Sequence, residues 1–588
     1  MAKRSTNKTR ERPAPPPDAA PPGRRAAAIA LTVFVLVFVG LALASYTQKS
    51  AVWDEPIHVT DGYVSLAQHD YRVDPEHPPF LRMWAALPLL ALGTDPLDLA
   101  IIDRTAPTAW ARTLFGVCER FLYGDNDAEK LLYAARFMIV LLGAGQGVLL
   151  FLWAREWLGF WPAAVALMGY TVEPNIAAHS ALVTTDLGFS CFMFATVYFL
   201  WRTARSPRWG NIAALVAAFV LAVVSKYSAV VLIPIVVLLT VFAAVTRTGL
   251  TPLKAAGLLV MLAAAAWVGI WASYGFRYAP GASPTWLYDF QSDPLVQAKV
   301  PGLAHIVTWI DRHHLFPNAF SQGFLFGQAK VEARSAFLAG EISNVGWWYY
   351  FPVAFAIKTP VALMALMAGG LGVAVARWRR FGIDTVVFVV VPIAVYLAFA
   401  MASKLNIGLR HILPIYPFAL MLAAAAASAL LGMRRRTGAV VLAALVALAA
   451  IEFGRTYPDN LAFFNVLVGG PDHGSEYLVD SNLDWGQDLK PLKQWMDANH
   501  VAHINLAYFG TAYPPYYKID ATLLPGSEYF EPGPNVQLPG YVAISATVLR
   551  GVYLDATAKA FYRPFLHMTP VASIGHSIFV FWVDRPWW

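Results

Sequence analysis

AAAIALTVFVLVFVGLALA (residues 26–44) leads, eight residues later, into WDEPIHVTDGYVSLAQHDYRVDPEHPPFLR (residues 53–82). The first stretch is apolar for about 19 residues, enough to cross a bilayer as a helix. The second carries the adjacent carboxylates Asp54 and Glu55, three histidines and a His77-Pro78-Pro79. Charge this dense beside a membrane-length run calls for a chemical reason. The end of the apolar run, Ala42-Leu43-Ala44, also fits a signal-peptide cleavage site. The run is longer than a signal core of about 7–15 residues, so we read it as a retained helix. In either case Ser45 onward emerges outside.

The pattern of the first stretch recurs. The 588-residue chain is 57% hydrophobic and 14% charged, with a mean hydropathy of +0.50. Soluble domains carry about 25% charged residues, so this is a polytopic α-helical membrane protein. Further runs fall at 131–153, 161–178, 182–201, 211–224, 229–245, 255–271, 351–376, 385–402, 412–431 and 439–453, giving about eleven spans. Basic residues between runs set the orientation. Arg155, the Arg202/Arg205/Arg208 group, Arg247 with Lys254, Arg377/Arg379/Arg380 and Arg434 to Arg436 alternate with turns holding little beyond Lys226, Lys404 and Arg410. The N-terminus is then cytoplasmic and the C-terminus outside.

The chain divides accordingly. Residues 1–25 form a basic, Pro-rich cytoplasmic tail that carries most of the net charge of +7. A basic pI located in such a tail gives no reason to expect a nucleic-acid partner. Residues 26–455 form the transmembrane domain, with external segments at 46–130 and 273–350. Within the first of these, 78–92 reads as a helix lying on the membrane surface. Residues 456–588 form a small extracytoplasmic α/β domain, with strands expected at 476–480, 504–509, 541–548 and 577–583 and a helix at 488–498. The two cysteines, Cys118 and Cys191, fall in a loop and a span and do not suggest a disulfide.

Three groups of residues are candidates for chemistry. Pro56 suits a first helical turn, which puts Asp54 or Glu55 at a helix N-cap and aligns Asp54, His58 and Asp61 on one face. A carboxylate there either caps the helix or takes a proton, and the two readings coexist at this stage. Glu173, His179 and Asp186 surround a turn between two runs, where ionisable groups are costly and functional by default. Lys358, Arg410, His411 and Arg82 are cationic or basic groups expected at the same face, a set that suits a phosphate or diphosphate. His58, His69 and His77 match no compact metal-ligand spacing, so no metal site is assigned.

Taken together, Trp53-Asp54-Glu55, Glu76-His77-Pro78-Pro79-Phe80, Glu173-Pro174-Asn175 with His179 and Thr185-Asp186, Lys358-Thr359-Pro360 and 408–414 (GLRHILP) resemble a known family. They are similar to the GT-C class membrane glycosyltransferases of the protein O-mannosyltransferase and aminoarabinose-transferase superfamily, glycosyltransferase family 39-like. The resemblance implies a GT-C fold and inverting transfer of a sugar from a polyprenyl-phosphate donor to a hydroxyl of a protein, lipid or glycan. It implies Asp54, Glu55 and Asp186 as catalytic carboxylates, with His77, Arg82, Glu173, His179, Lys358, Arg410 and His411 binding substrate. It implies no cofactor, with a divalent cation left open, and a bacterial inner-membrane location. Where relatives often have Lys-Pro-Pro, this chain has His77-Pro78-Pro79. A ligase using a lipid diphosphate is the alternative within the enzyme class. A lipid-linked sugar transporter would spread its charges through the bilayer depth, which this sequence does not do. The segment 480–496, DSNLDWGQDLKPLKQWM, reads as a loop capping a helix in a domain that binds acceptor or carbohydrate.

Overall fold

A computed structural model describes residues 23–105, 110–246, 249–433, 435–527 and 536–586. The expectation for the basic tail falls almost wholly outside them, as do Arg247 and Arg434. The chain is mostly helical. Among the described residues eight helices are long and apolar enough to cross a membrane, or nine if one bent pair is a single span.

The difference from eleven has local causes. The run at 161–178 is broken: Phe160–Thr171 stops, and Pro174 opens a separate short helix, Pro174–Ser180, because proline suits a first turn and would cost a backbone hydrogen bond in a helix interior. Trp209–Val223 is helical but only 15 residues long. The run at 351–376 divides into Tyr350–Lys358 and Val361–Ala376, bent by 120° at Thr359-Pro360. Thr359 is extended, as the residue before a proline prefers. Lys358 is thus the end of an arm and not a residue within a straight span.

The first helix, Arg24–Tyr46, is built into the bundle. Phe34 and Phe38 face Tyr170, with ring centroids 6.0 and 5.6 Å apart. The last turn is tied down by Ser45 Oγ, which donates to the Pro458 carbonyl at 2.9 Å. The bundle centre is the Tyr416–Leu431 helix, whose Ala423 to Ala427 are all buried. Small residues let backbones approach closely. A Cβ on Gly370 of the Val361–Ala376 helix would lie 1.8 Å from the Leu422 carbonyl oxygen, so this crossing requires glycine. Phe80–Ala86 continues as the 3₁₀ turn Leu87–Ala91, a short apolar helix where 78–92 is expected to be helical.

Two strands, β1 (Ala336–Leu338) and β2 (Glu341–Ser343), form an antiparallel hairpin in the second external segment. The C-terminal part holds β3 (Ile504–Ala507), β4 (Ala521–Leu523), β5 (Gly540–Ser545), β6 (Ala572–Ile574) and β7 (Ile578–Val583), in the order β4-β3-β5-β7-β6. The pairs β3–β4 and β3–β5 are parallel; β5–β7 and β6–β7 are antiparallel. The helix expected at 488–498 is Leu489–Ala498. The strand expected at 476–480 is absent. That segment forms the turn Gly474–Tyr477, whose Tyr477 carbonyl accepts from the Ala339 N–H beside β1 at 2.9 Å.

Under the sheet, Asp484 Oδ2 accepts from the Thr547 N–H at 2.8 Å. Burial, reinforced by Asp488 and Asp480, pushes its carboxyl up to about 8. An unfolded aspartate titrates near ~4. Between those values the folded chain holds a proton that the unfolded chain has lost, so this group's contribution to stability falls as pH rises through the window. Asp484→Asn keeps an acceptor and removes the titration. The unfolding temperature of that variant should depend less on pH across the same window, and an unchanged slope would contradict the assignment.

Candidate active site

Four charged side chains from four parts of the chain meet at one end of the bundle. Asp54 precedes the Glu55–Tyr63 helix, Asp186 lies in the first turn of Thr185–Arg205, Lys226 occupies the turn after Trp209–Val223, and Arg410 lies in the 3₁₀ segment Leu409–Ile415. Arg410 Nη1 donates to Asp54 Oδ2 at 3.0 Å and lies 3.5 Å from Asp186 Oδ2. Lys226 Nζ is 2.5 Å from Asp186 Oδ1. Two carboxylates and two cations balance, which is how buried charge is tolerated. The guanidinium of Arg410 also lies 4.0 Å from the ring centre of Trp485, a residue of the C-terminal part.

Within this row Asp54 is the most open: its side chain is 24% exposed, against 1% for Asp186 and 11% for Arg410. Although Asp54 sits at the N-cap, its side chain makes no capping hydrogen bond. The capping reading therefore fails for this residue, and the carboxylate is directed at Arg410. Asp61, expected on the same face, faces elsewhere and is 3.0 Å from Arg82.

Three imidazoles surround the row, His179 buried and His77 and His411 half-buried. His77 Nδ1, His179 Nδ1 and His411 Nε2 have no hydrogen-bond partner among the described residues. Burial holds His77 well below the usual histidine range, and it pushes His179, in the short helix outside the spans, down to about 3. Both are neutral near pH 7, so each ring carries one donor and one acceptor nitrogen. Open polar positions of this kind suit the oxygens of a sugar or phosphate. Among the described residues no three His, Cys, Asp or Glu side chains gather as a metal site.

Four of the expected site residues are placed differently. Glu55 is fully buried against Arg136. Its Oε1 accepts from Arg136 Nε at 2.8 Å and from the Val183 N–H at 2.9 Å, and its Oε2 accepts from Arg136 Nη2 at 2.6 Å and from the Val52 N–H at 2.8 Å. A carboxylate holding four donors has no free position for a proton, so the geometry gives Glu55 an anchoring role. Arg82 is enclosed by Asp61 and by Asp74, at 2.5 Å, and also donates to the His77 carbonyl, which leaves it no phosphate-facing edge. Glu173 caps the Pro174–Ser180 helix, accepting from the Ile176 N–H at 2.7 Å and from Asn175 Nδ2 at 2.7 Å.

Lys358 is the fourth. Its Nζ donates to the carbonyls of Leu461, at 3.0 Å, Phe463, at 2.9 Å, and Asn482. An ammonium has three donors, and all three are taken. Lys358 therefore clamps the C-terminal part to the bundle. Lys358→Met should destabilise the protein by about 2–3 kcal/mol and loosen the chain after residue 456, with KM for a lipid donor unchanged. Thermal unfolding and limited proteolysis read the first effect. A raised KM at unchanged stability would return Lys358 to the lipid phosphate.

Sequence reasoning missed three residues. Arg136 lies a few positions into an apolar run, where an arginine signals a buried partner. Lys226 stands in Lys226-Tyr227-Ser228 between two apolar runs, and entered only as a loop charge. Trp485 gives no sequence signal, since its role depends on a distant arginine.

The bundle is that of a multi-pass membrane protein, with the charge row at one end. Residues 128–271 match the family model described as dolichyl-phosphate-mannose-protein mannosyltransferase. The matched stretch of the chain holds Glu173, His179 and Asp186, three of the residues on which the resemblance to the GT-C, family 39-like glycosyltransferases rests. Among curated proteins no relative matches. Solved structures similar to it include ArnT from Cupriavidus metallidurans bound to undecaprenyl phosphate, 14% identical, with a TM-score of 0.36 over 94% of this chain and 97% of that one. The S. cerevisiae protein O-mannosyltransferase Pmt1–Pmt2 complex bound to the sugar donor is 12% identical, with a TM-score of 0.49 over 74% and 89%. The archaeal oligosaccharyltransferase AglB from Archaeoglobus fulgidus is 13% identical, with a TM-score of 0.47 over 73% of this chain and 55% of that one.

Proposed function

We propose that this chain transfers a sugar, with inversion, from a polyprenyl-phosphate donor to a hydroxyl acceptor at the outer face of the bacterial cytoplasmic membrane. In this reading Asp54 accepts the proton of the attacking hydroxyl. Arg410 and Lys226 balance the charge that develops on the departing lipid phosphate, with Asp186 holding both cations in place. A phosphate is a good leaving group, so no added acid is needed. The imidazoles of His77, His179 and His411 hydrogen-bond sugar or phosphate oxygens. The orientation, with the N-terminus inside and the C-terminus outside, rests on the alternation of basic loops.

The observation that carries the reading is the Asp54–Arg410 contact. Asp54 is the most open acid of the row, it has no capping duty, and it touches a cation that also reaches Asp186. A base must stand within reach of both the acceptor and the charge that forms opposite it. Purified full-length protein, incubated with a panel of radiolabelled undecaprenyl-phosphate sugars and bacterial membrane extract as acceptor source, should release undecaprenyl phosphate and label an acceptor from one donor. A protein that binds these lipids and leaves every one intact would overturn the proposal.

A further inference from the structure

The segment 480–489 touches both halves of the Asp54–Arg410 pair, and nothing in the reaction so far uses it. Its first part is fixed to the residues that carry Arg410. Ser481 Oγ donates to the Ile407 carbonyl at 3.0 Å, and Asn482 Oδ1 accepts from the Leu409 N–H at 2.9 Å. Gly408 lies so close that a Cβ there would be 2.2 Å from Ser481 Oγ. Asn482 Nδ2 donates to the Tyr350 hydroxyl at 2.9 Å, and the Asn482 carbonyl takes the Lys358 ammonium.

The last part of the segment is fixed to the residues that carry Asp54. The Trp53 N–H donates to the Trp485 carbonyl at 2.8 Å, one residue before Asp54. The Ser50 N–H donates to the Gln487 carbonyl at 2.9 Å, and Ser50 Oγ donates to the Gly486 carbonyl at 3.0 Å. Lys49 pairs with Asp488 at 2.6 Å. Between the two parts stands Trp485, 2% exposed, with its ring beneath the Arg410 guanidinium.

The backbone of the segment is held in demanding conformations. Gly486 is at φ +91°, where a Cβ would meet the Tyr508 hydroxyl at 2.7 Å. Asp480 is at φ +57°, a region that only short polar side chains visit readily. Such geometry persists where surrounding contacts over-determine it.

We propose that 480–489 is a positioning strap that sets Arg410 and Asp54 in register for transfer, with Trp485 as the positioning residue for Arg410. The inference rests on the function proposed above. It explains why a C-terminal segment is bound at once to the first external loop and to the entry of a central helix. An arginine held only by its carboxylate partners is free to slide along them. A ring fixed by its own backbone contacts limits that freedom, and small misplacements of a catalytic group are expensive in rate.

The test uses full-length protein in detergent and the undecaprenyl-phosphate sugar singled out by the donor panel. Trp485→Ala should lower kcat about 10- to 30-fold with KM for the donor unchanged, because the aromatic face is lost while the cations remain. Trp485→Phe should recover most of the rate, and Trp485→Leu, which fills space without a π face, should not. Wild-type kcat in folded Trp485→Leu overturns the strap. If Trp485→Ala does not fold, the Phe and Leu variants decide between themselves. Asp54→Asn assayed in parallel separates the two readings. An inactive Asp54→Asn beside a fully active Trp485→Leu removes the strap alone. An active Asp54→Asn removes the base assignment, while the Trp485 series still reports on Arg410.

Discussion

Asp54→Asn should lower sugar transfer about 10²- to 10⁴-fold, the range over which a positioned general base contributes, without loss of fold. The substitution is nearly isosteric. The amide oxygen remains available to Arg410 Nη1, which donates to Asp54 Oδ2 at 3.0 Å in the parent chain. No helix cap is lost, since the Asp54 side chain does not cap the Glu55–Tyr63 helix. Removing one negative charge leaves Arg410 and Lys226 less neutralised, which favours an anionic lipid. KM for the donor should therefore stay level or fall while kcat collapses. That split is the signature of an interaction made in the transition state. A variant with raised KM and preserved kcat would make Asp54 a binding group, and one with wild-type kinetics would remove it from the reaction. Transfer kinetics and a thermal unfolding profile on the same preparation distinguish these outcomes.

What was legible in the sequence was short-range. The apolar runs are helices, because hydropathy over about 20 residues reports directly on burial in lipid. The pairing of Asp54 with a cation of the 408–414 motif was legible in kind: both were expected at one face, and they meet. The breaks inside runs were less visible. A hydropathy window averages across Thr359-Pro360, so the 120° bend disappears into a single apolar run. Partner identity was not legible at all. Glu55 finds Arg136 more than 80 positions away, and Lys358 is occupied by carbonyls more than 100 positions away, which show no residue type to read. A cation in an apolar run states that it must be satisfied; it does not state by what. The 476–480 segment shows the same limit, since docking against the hairpin at Ala339 outweighs its strand-like composition.

The adjacent carboxylates should give opposite phenotypes. Glu55→Gln is expected to destabilise the folded chain by about 3–5 kcal/mol, the cost of leaving a buried charge without its partner. Arg136 is fully buried and would keep its charge. It also donates to the carbonyls of Tyr46, at 2.9 Å, Lys49, at 3.2 Å, and Ser50, at 2.8 Å. Those contacts do not replace a carboxylate. The pair ties the end of the first helix to the Ala128–Leu158 helix and, through the Val183 N–H, to the approach to Asp186. Arg136→Met should cost a similar amount for the mirror reason, as Glu55 would be left buried and ionised with only two backbone donors. Replacing both residues with apolar ones would not restore the parent, because three carbonyls and two N–H groups would lose their partners. The measurement is unfolding temperature and monodisperse yield, followed by turnover per folded molecule. Glu55→Gln that survives purification should retain most of its turnover, whereas Asp54→Asn should be stable and inactive. A Glu55→Gln variant as stable as the parent but as slow as Asp54→Asn would instead place Glu55 in the chemistry.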